Sequence, residues 1–129
     1  MNLFSEVKNT KHQGNIGLAA AIKYFVVNGY TVSIPINDSQ DYDLIVEEEG
    51  ILHRVQVKTT SYKAPSGAFQ VNLRSTGGTK GTVYKRVNKD NSDLLFILCS
   101  DNSKFIIPLV EITNTSTINL SFDYIKYKV

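Results

Sequence analysis

The hydrophobic and polar positions along the chain follow two different periods, which predicts a mixed order of helix and strands. Residues 15–28 (NIGLAAAIKYFVVN) are apolar on nearly every side, as expected of a helix buried against a sheet. The helix is predicted to end at Asn28-Gly29, because these residue types close helices in left-handed geometry. One buried helix is therefore expected near the start of the sequence.

Short apolar runs separated by turn residues predict strands after this helix. Residues 30–36 form the first, and Pro35 indicates an edge or an irregular end. Residues 43–48 and 51–60 predict a hairpin whose tight turn is Glu49-Gly50. The later apolar runs and the alternating aromatic tail are residues 68–75, 93–100, 104–112 and 118–129. The tail is expected either to add a strand or to pack at a subunit contact.

Length and composition limit the class of protein. With 129 residues, of which 42% are hydrophobic and 20% charged, residues 1–129 are expected to form one globular domain. No apolar run approaches the roughly 20 residues of a membrane-spanning helix, and the first residues lack the basic start of a secretory signal. This predicts a cytoplasmic protein without a membrane partner. The single cysteine, Cys99, excludes a disulfide framework within the chain and is expected to be a buried thiol.

Charge is distributed unevenly along the sequence. Residues 37–50 contain six acids and no lysine or arginine, whereas residues 61–92 contain six bases and one acid, Asp90. A basic segment that follows an acidic pocket suits an enzyme that binds a phosphate polyanion around a central cation. The alternative is a solvated face followed by a hairpin tip, and the charge pattern by itself favours that alternative.

Strand alternation brings three chemically active side chains together. Arg54, Gln56 and Lys58 share one face of the strand predicted at residues 51–60. A tight hairpin places the start of the preceding strand, at Asp43, beside the end of this one. Asp43, Gln56 and Lys58 are therefore expected to converge.

An aspartate, a neutral oxygen ligand and a lysine suit phosphodiester hydrolysis. Oxygen ligands hold Mg²⁺, which polarises the phosphate and acidifies a water, and an ammonium offsets charge on the reacting oxygens. Gln56 would offer an amide oxygen, and the main-chain carbonyl of Val57 another ligand. The alternative is an ordinary amphipathic hairpin whose Lys58 extends into water.

The sequence resembles the PD-(D/E)XK nuclease superfamily, in which an aspartate begins one strand and a (D/E)-X-K triplet ends the next. It is more narrowly similar to the branch that contains group I intron homing endonucleases, whose triplet is Q-X-K, here Gln56-Val57-Lys58. The similarity runs from about residue 11 to the end of the sequence. Its further marks are GNIG at residues 14–17, NGY at the helix end, the proline of VSIPI, YDLIV and RVQVKT.

The resemblance implies a restriction-endonuclease-like αβββαβ core with a mixed central sheet. It also implies Mg²⁺-dependent cleavage of double-stranded DNA, with Mn²⁺ as an alternative ion. A homo-oligomer, either a dimer or a tetramer, follows because each active site cuts one strand. In this pattern Asp43 binds metal, Gln56 assists, and Lys58 positions the water or stabilises charge.

The chain departs from the family pattern at Leu18. Related proteins have GDIGE at the helix start, and the glutamate of that motif completes the metal site. A carboxylate could come from elsewhere, with Glu47, Asp41 and Glu6 as candidates. Otherwise the protein retains DNA binding with weak or no cleavage, or the acid has been replaced deliberately. A site with one certain anionic ligand is expected to bind divalent metal more weakly.

The basic segment supplies candidate DNA contacts. The glycine-rich loop at residues 76–82 could follow a DNA backbone, and Gln70 or Arg74 on the strand before it could reach base edges. The alternative for this loop is an ordinary surface loop. The candidate DNA-binding residues of the segment are Lys63, Gln70, Arg74, Lys80, Lys85 and Arg86.

The sequence as a whole predicts a small endonuclease that acts on double-stranded DNA, with homing as its leading biological role. A Holliday-junction resolvase is the nearest enzymatic alternative, since such enzymes are also short PD-(D/E)XK chains that act as dimers. A catalytically inactive DNA-binding module on the same fold is the alternative from a different class.

Overall fold

A computed structural model describes residues 1–37, 39–77, 83–87, 89–113 and 116–129. Its helix α1, Thr10–Val27, starts earlier than the predicted residue 15, because the side chain of Asn9 caps it. The Asn9 Oδ1 accepts a hydrogen bond of 2.8 Å from the His12 N–H, which satisfies a first-turn donor. The helix ends before Gly29, whose φ of +88° is the left-handed conformation expected at this position.

The central sheet has five strands in the order β1-β2-β3-β7-β8. In chain order these strands are β1 Thr31–Ser33, β2 Leu44–Glu48, β3 Ile51–Thr60, β7 Leu94–Cys99 and β8 Lys104–Pro108. The β3–β7 pair is parallel and the other pairs are antiparallel, so the predicted mixed sheet is confirmed. The strand β1 is shorter than residues 30–36, in agreement with the irregular end that Pro35 predicts.

The β2–β3 hairpin has the predicted turn. Glu49 and Gly50 both adopt positive φ, at 53° and 80°, as a two-residue type I′ connection requires. This turn fixes a register in which Leu44 pairs with Val55 and Glu48 with Ile51. The start of β2 therefore lies beside the second half of β3.

Two small ribbons lie outside the central sheet. Between β3 and β7, where the αβββαβ pattern has its second helix, the described residues form the strands β4 Gln70–Asn72, β5 Arg74–Gly77 and β6 Val83–Arg86. β5 pairs with β6, whereas β4 pairs with β9, Thr117–Asn119, from the tail. The tail thus adds a strand, one of the two outcomes expected, and continues through a 3₁₀ helix at Ile125–Tyr127.

The two faces of the sheet have separate cores. A helix-side cluster joins Ala21 and Phe25 of α1 to Leu44, Val55 and Phe96 of the sheet. A ribbon-side cluster joins Leu95, Ile97 and Cys99 of β7 to Val71 of β4 and Ile118 of β9. Cys99 is fully buried, as predicted, and burial raises the pKa of its thiol to about 11. No helix of the described chain is long and apolar enough to cross a membrane.

Helix α1 approaches β3 most closely at Gly17. A Cβ built on Gly17 would lie 2.5 Å from Cγ2 of Thr59 and 3.3 Å from Cγ1 of Val57. The Thr59 side chain is held by Gln13, whose Nε2 donates to Thr59 Oγ1 at 2.8 Å. The glycine therefore allows the helix to pack directly on the strand that carries Gln56 and Lys58.

We expect Gly17→Ala to lower the free energy of unfolding by about 1–3 kcal/mol, the typical cost of overpacking a well-packed contact. Gly14→Ala is the matched control, since nothing lies within 4 Å of a Cβ at Gly14. It should raise stability by up to about 1 kcal/mol, because alanine favours helix. Urea unfolding of both variants measures the difference, and equal effects would contradict the close packing.

Candidate active site

Asp43 is held by the backbone of β3. The Asp43 N–H donates to the carbonyl of Val55 at 2.8 Å, and the Asp43 Oδ2 accepts from the Val57 N–H at 2.8 Å. These two hydrogen bonds lie on either side of Gln56 in the sequence of β3. The carboxylate is therefore oriented by main-chain groups and not by a flexible side-chain partner.

Gln56 and Lys58 lie on the ribbon side of the sheet. In the parallel β3–β7 register, Gln56 is beside Leu95 and Lys58 beside Ile97, which both belong to the ribbon-side cluster. Neighbouring residues of a parallel pair point to the same face, so Gln56 and Lys58 share that face. Val55 and Val57 pack instead in the helix-side cluster, so the alternation predicted for β3 agrees with the packing of these positions.

Burial sets the electrostatics of Asp43 and Lys58. Burial raises the pKa of the Asp43 carboxyl, against the opposing effects of the Val57 N–H and the charge of Lys58. Burial likewise lowers the pKa of the Lys58 amine, and the charge of Asp43 opposes this shift. Each group therefore interacts with the charge of the other in a site where both are costly to ionise.

The amide oxygen of Gln56 accepts no hydrogen bond from the described residues. Gln56 Oε1 is buried and has no hydrogen-bond partner in the described part of the chain. A buried acceptor oxygen next in sequence to the residue whose N–H holds the Asp43 carboxylate fits a hard cation, which takes oxygen ligands. Mg²⁺ is commonly held by one or two carboxylates, with waters and substrate phosphates as further ligands, so this donor set fits the ion.

The described residues bring no group of three acidic, histidine or cysteine side chains together around Asp43. Across the ranges that the structure describes, no group of three or more histidine, cysteine, aspartate or glutamate residues could hold a metal. The candidates Glu47, Asp41 and Glu6 therefore form no such cluster. Leu18 packs against the helix-side cluster, on the other side of the sheet from Gln56 and Lys58.

A second aspartate, Asp93, was not predicted from the sequence. It lies directly before β7 and binds β3 from the side opposite to β2. Asp93 Oδ2 accepts from the Arg54 N–H at 2.7 Å, and the Asp93 N–H donates to the Arg54 carbonyl at 2.8 Å. The Arg54 guanidinium also donates to both carboxylate oxygens of Asp93, each at 3.2 Å. This contact lowers the pKa of Asp93. The signal was present in the sequence, because SDLLF repeats the pattern of YDLIV, with an aspartate directly before an apolar strand.

The candidate DNA-binding residues lie in the segment between β3 and β7, where Arg74 on β5 pairs directly with Arg86 on β6. Lys63 and Arg74 are exposed and lie at the two ends of the segment that contains β4, while Gln70 is on β4 itself. Lys85 and Arg86 are positions of β6, where they pair with Ser75 and Arg74. Lys80 lies outside the described residues.

Comparisons with known proteins agree with the resemblance seen in the sequence. Residues 8–126 match the family described as PD-(D/E)XK endonuclease. Among solved structures, the fold is similar to the bacterial homing endonuclease I-Ssp6803I, with a TM-score of 0.75 and 29% sequence identity. The similarity covers 88% of this chain and 79% of that chain. A comparison with curated proteins found no match.

Because burial opposes ionisation of both Asp43 and Lys58, we expect the double variant Asp43→Asn/Lys58→Met to be more stable than the wild type at pH 7. Replacing two desolvated opposite charges by neutral residues is often neutral or stabilising, by up to about 4 kcal/mol. The raised pKa of Asp43 costs stability as the pH rises through it, so the advantage should shrink when the pH falls below that pKa.

Urea unfolding between acid and neutral pH measures this difference. Glu111→Gln/Lys23→Met is the control, because it removes the same charges from exposed positions. A double variant less stable than the wild type at pH 7 would show that the pair stabilises the fold in spite of its burial.

Proposed function

The chain belongs to the PD-(D/E)XK endonuclease family, and we propose that it is a metal-dependent endonuclease that hydrolyses phosphodiester bonds of double-stranded DNA. The observation that carries the proposal is the arrangement around Gln56. A backbone-held carboxylate at the start of β2 lies across the hairpin from a buried amide oxygen, which has no hydrogen-bond partner among the described residues, and from a largely desolvated amine on β3.

The residues that would hold the metal are Asp43 and Gln56, through their side-chain oxygens, and Val57, through its main-chain carbonyl. A bound Mg²⁺, or Mn²⁺ in its place, supplies Lewis-acid polarisation of the phosphate and a water of lowered pKa. The contribution of the chain is to hold these oxygens in a fixed arrangement before substrate arrives. Asp43 is fixed by the Val57 N–H, and Gln56 by its place within the parallel β3–β7 pair.

Lys58 would stabilise charge on the attacking and bridging oxygens. Its amine is desolvated, so its interaction with a developing negative charge is stronger than that of an exposed lysine. The lowered pKa also reduces the cost of moving a proton from the ammonium to the departing oxygen. Asp43 lies close enough to influence the Lys58 charge, so the two groups act as a coupled pair.

The biological role that we propose is homing, supported by the structural similarity to a bacterial homing endonuclease. Residues 1–129 would act as one nuclease domain in the cytoplasm. A dimer or tetramer would be the active form, because each site cuts one strand of the duplex. Phosphate contacts would come from the lysines and arginines between positions 63 and 86, namely Lys63, Arg74, Lys80, Lys85 and Arg86.

A second candidate is a DNA-binding module without cleavage. The observation that favours it is the apolar Leu18, together with the lack of a carboxylate cluster around Asp43 among the described residues. Such a protein would bind duplex DNA through the same surface but would hold metal weakly.

Lys58→Met separates the two functions. We expect the variant to bind DNA within a few-fold of the wild type but to nick it about 10²- to 10³-fold more slowly, the usual loss when one charge-stabilising group is removed. The assay uses supercoiled plasmid that carries a randomised insert library, with Mg²⁺ or Mn²⁺. Lys23→Met, an exposed lysine of α1, is the control and should cleave normally. Wild-type protein that binds the plasmid but does not nick it would favour the binding module.

Leu18→Glu tests whether the helix contributes to the metal site. Leu18 packs on the same cluster as Val57, whose N–H holds Asp43. A second carboxylate there should tighten Mn²⁺ binding by roughly tenfold, because affinity for hard cations follows the charge of the ligands. Titration calorimetry measures the affinity without any need for cleavage.

Ala19→Glu is the matched control, because Ala19 is the next residue of α1 and is exposed. It adds the same charge on a face that points away from the sheet. Unchanged Mn²⁺ affinity in Leu18→Glu, or an equal gain in both variants, would place residue 18 outside the metal site.

A further inference from the structure

The ribbon formed by β4 and β9 presents one apolar face and one polar face. Val71 and Ile118 are paired across the ribbon and buried in the ribbon-side cluster. Their neighbours alternate to the opposite face, where Gln70 pairs with Asn119 and Asn72 with Thr117. This outward face therefore carries one amide–amide pair, Gln70–Asn119, and one amide–hydroxyl pair, Asn72–Thr117. None of these four side chains is charged.

The pair of amides on this face has a defined hydrogen-bonding pattern. Gln70 Nε2 donates to Asn119 Oδ1 at 3.0 Å, which leaves Gln70 Oε1 as an acceptor and Asn119 Nδ2 as a donor. Rotating both amides by half a turn again leaves one outward acceptor and one outward donor. The major-groove edge of adenine offers the complement, namely the acceptor N7 and the donor N6–H₂. Guanine offers two acceptors there and cytosine a donor, so neither matches this pattern as well.

The ribbon is joined rigidly to the strand that carries the candidate active site. Thr60 Oγ1 donates to the Gln70 carbonyl at 2.5 Å, and the Gln70 N–H donates to the Tyr62 carbonyl at 2.9 Å. Thr60 is two positions beyond Lys58 on β3 and lies on the same face. A base bound at Gln70 would consequently be held at a fixed offset from Lys58.

The surroundings of this face suit a duplex. The groove beside it is lined by polar side chains, with Gln13, Thr59 and Asn72 among them. Lys63 and Arg74 are exposed before and after β4, and residues 61–77 contain no acid. One acid, Asp123, lies in the groove at the β9 end. A two-stranded ribbon with basic residues on its flanks has the width that the major groove of B-DNA admits.

We propose that the outward face of the β4–β9 ribbon enters the major groove of the DNA, where the Gln70–Asn119 pair reads an adenine. The proposal rests on the proposed function, since it assigns a sequence-reading surface to the same nuclease. Asn72 and Thr117 lie next to this pair and contact the adjacent base step. Lys63 and Arg74 contact the flanking phosphates, which set register without reading sequence.

The test measures sequence preference without cleavage. Wild type, Gln70→Ala, Asn119→Ala and the control Thr31→Ala are each incubated with a library of short duplexes containing randomised positions, in EDTA and again in Ca²⁺. Thr31 is an exposed position of the edge strand β1, outside the ribbon. Bound duplexes are sequenced, and circular dichroism and urea unfolding establish that each variant is folded.

Wild type and Thr31→Ala should enrich duplexes that carry an A·T pair at one fixed position. Both ribbon variants should lose that preference by roughly tenfold to 100-fold, as expected for one bidentate base contact. Their salt dependence of binding should stay that of the wild type, because no phosphate contact is removed.

The outcomes distinguish the two proposals. If wild type selects a sequence and folded ribbon variants select the same sequence equally well, the ribbon proposal is wrong and the nuclease proposal stands. If wild type binds duplexes without preference, the ribbon proposal also fails. If wild type binds no duplex in either condition, the proposed function fails with it.

Discussion

The candidate site depends on one constraint, which is that β3 is held on both sides by an aspartate bound to its main chain. Asp43, before β2, accepts the N–H of Val57, and Asp93, before β7, accepts the N–H of Arg54. Both neighbouring strands thus begin with a carboxylate that fixes the backbone of the segment between Arg54 and Lys58. Because alternation along a fixed backbone decides where side chains point, the positions of Gln56 and Lys58 follow from these two contacts. Asp93 binds the Arg54 side chain through both carboxylate oxygens, whereas Asp43 binds β3 through Oδ2.

The same arrangement costs stability where it is useful for chemistry. Asp43 and Lys58 are shifted towards their neutral forms by burial, and the Gln56 oxygen is buried without a partner among the described residues. Such costs persist only when the surrounding structure maintains them. Here the fully buried Leu95 and Ile97 fill the ribbon-side cluster, and the close contact at Gly17 fixes α1 against the other face of β3. A cation bound as proposed would offset part of this cost by satisfying the Gln56 oxygen and the Asp43 charge together.

Local signals predicted the hairpin well and the contacts between distant residues poorly. The bounds of β3, the Glu49-Gly50 turn and the start of β2 to within one residue, at Leu44 in place of Asp43, follow from period-two alternation and from turn chemistry, which are properties of neighbouring residues. The start of α1 was placed too late because the capping role of Asn9 depends on a side-chain hydrogen bond. The pairing of β4 with β9 joins residues far apart in the sequence, and short polar strands of this kind carry little periodicity. The roles of Gln56 and Lys58 in chemistry were suggested by the family pattern and remain proposals.

In the proposed metal site, Leu18 in place of a glutamate would change the charge and leave the orientation of Asp43 unchanged. Asp43 is oriented by the Val57 N–H and not by any group of α1, so an apolar residue at position 18 leaves the carboxylate in place. The proposed DNA surface depends on a different set of contacts, since the ribbon is attached to β3 through Thr60 and Gln70, beyond Lys58 and on the ribbon side of the sheet. The proposed metal site and the proposed sequence-reading surface are therefore separate parts of the fold. If the chain is the nuclease proposed above, an apolar residue at position 18 would weaken its hold on the ion and would leave the orientation of Asp43 and the proposed reading surface unchanged.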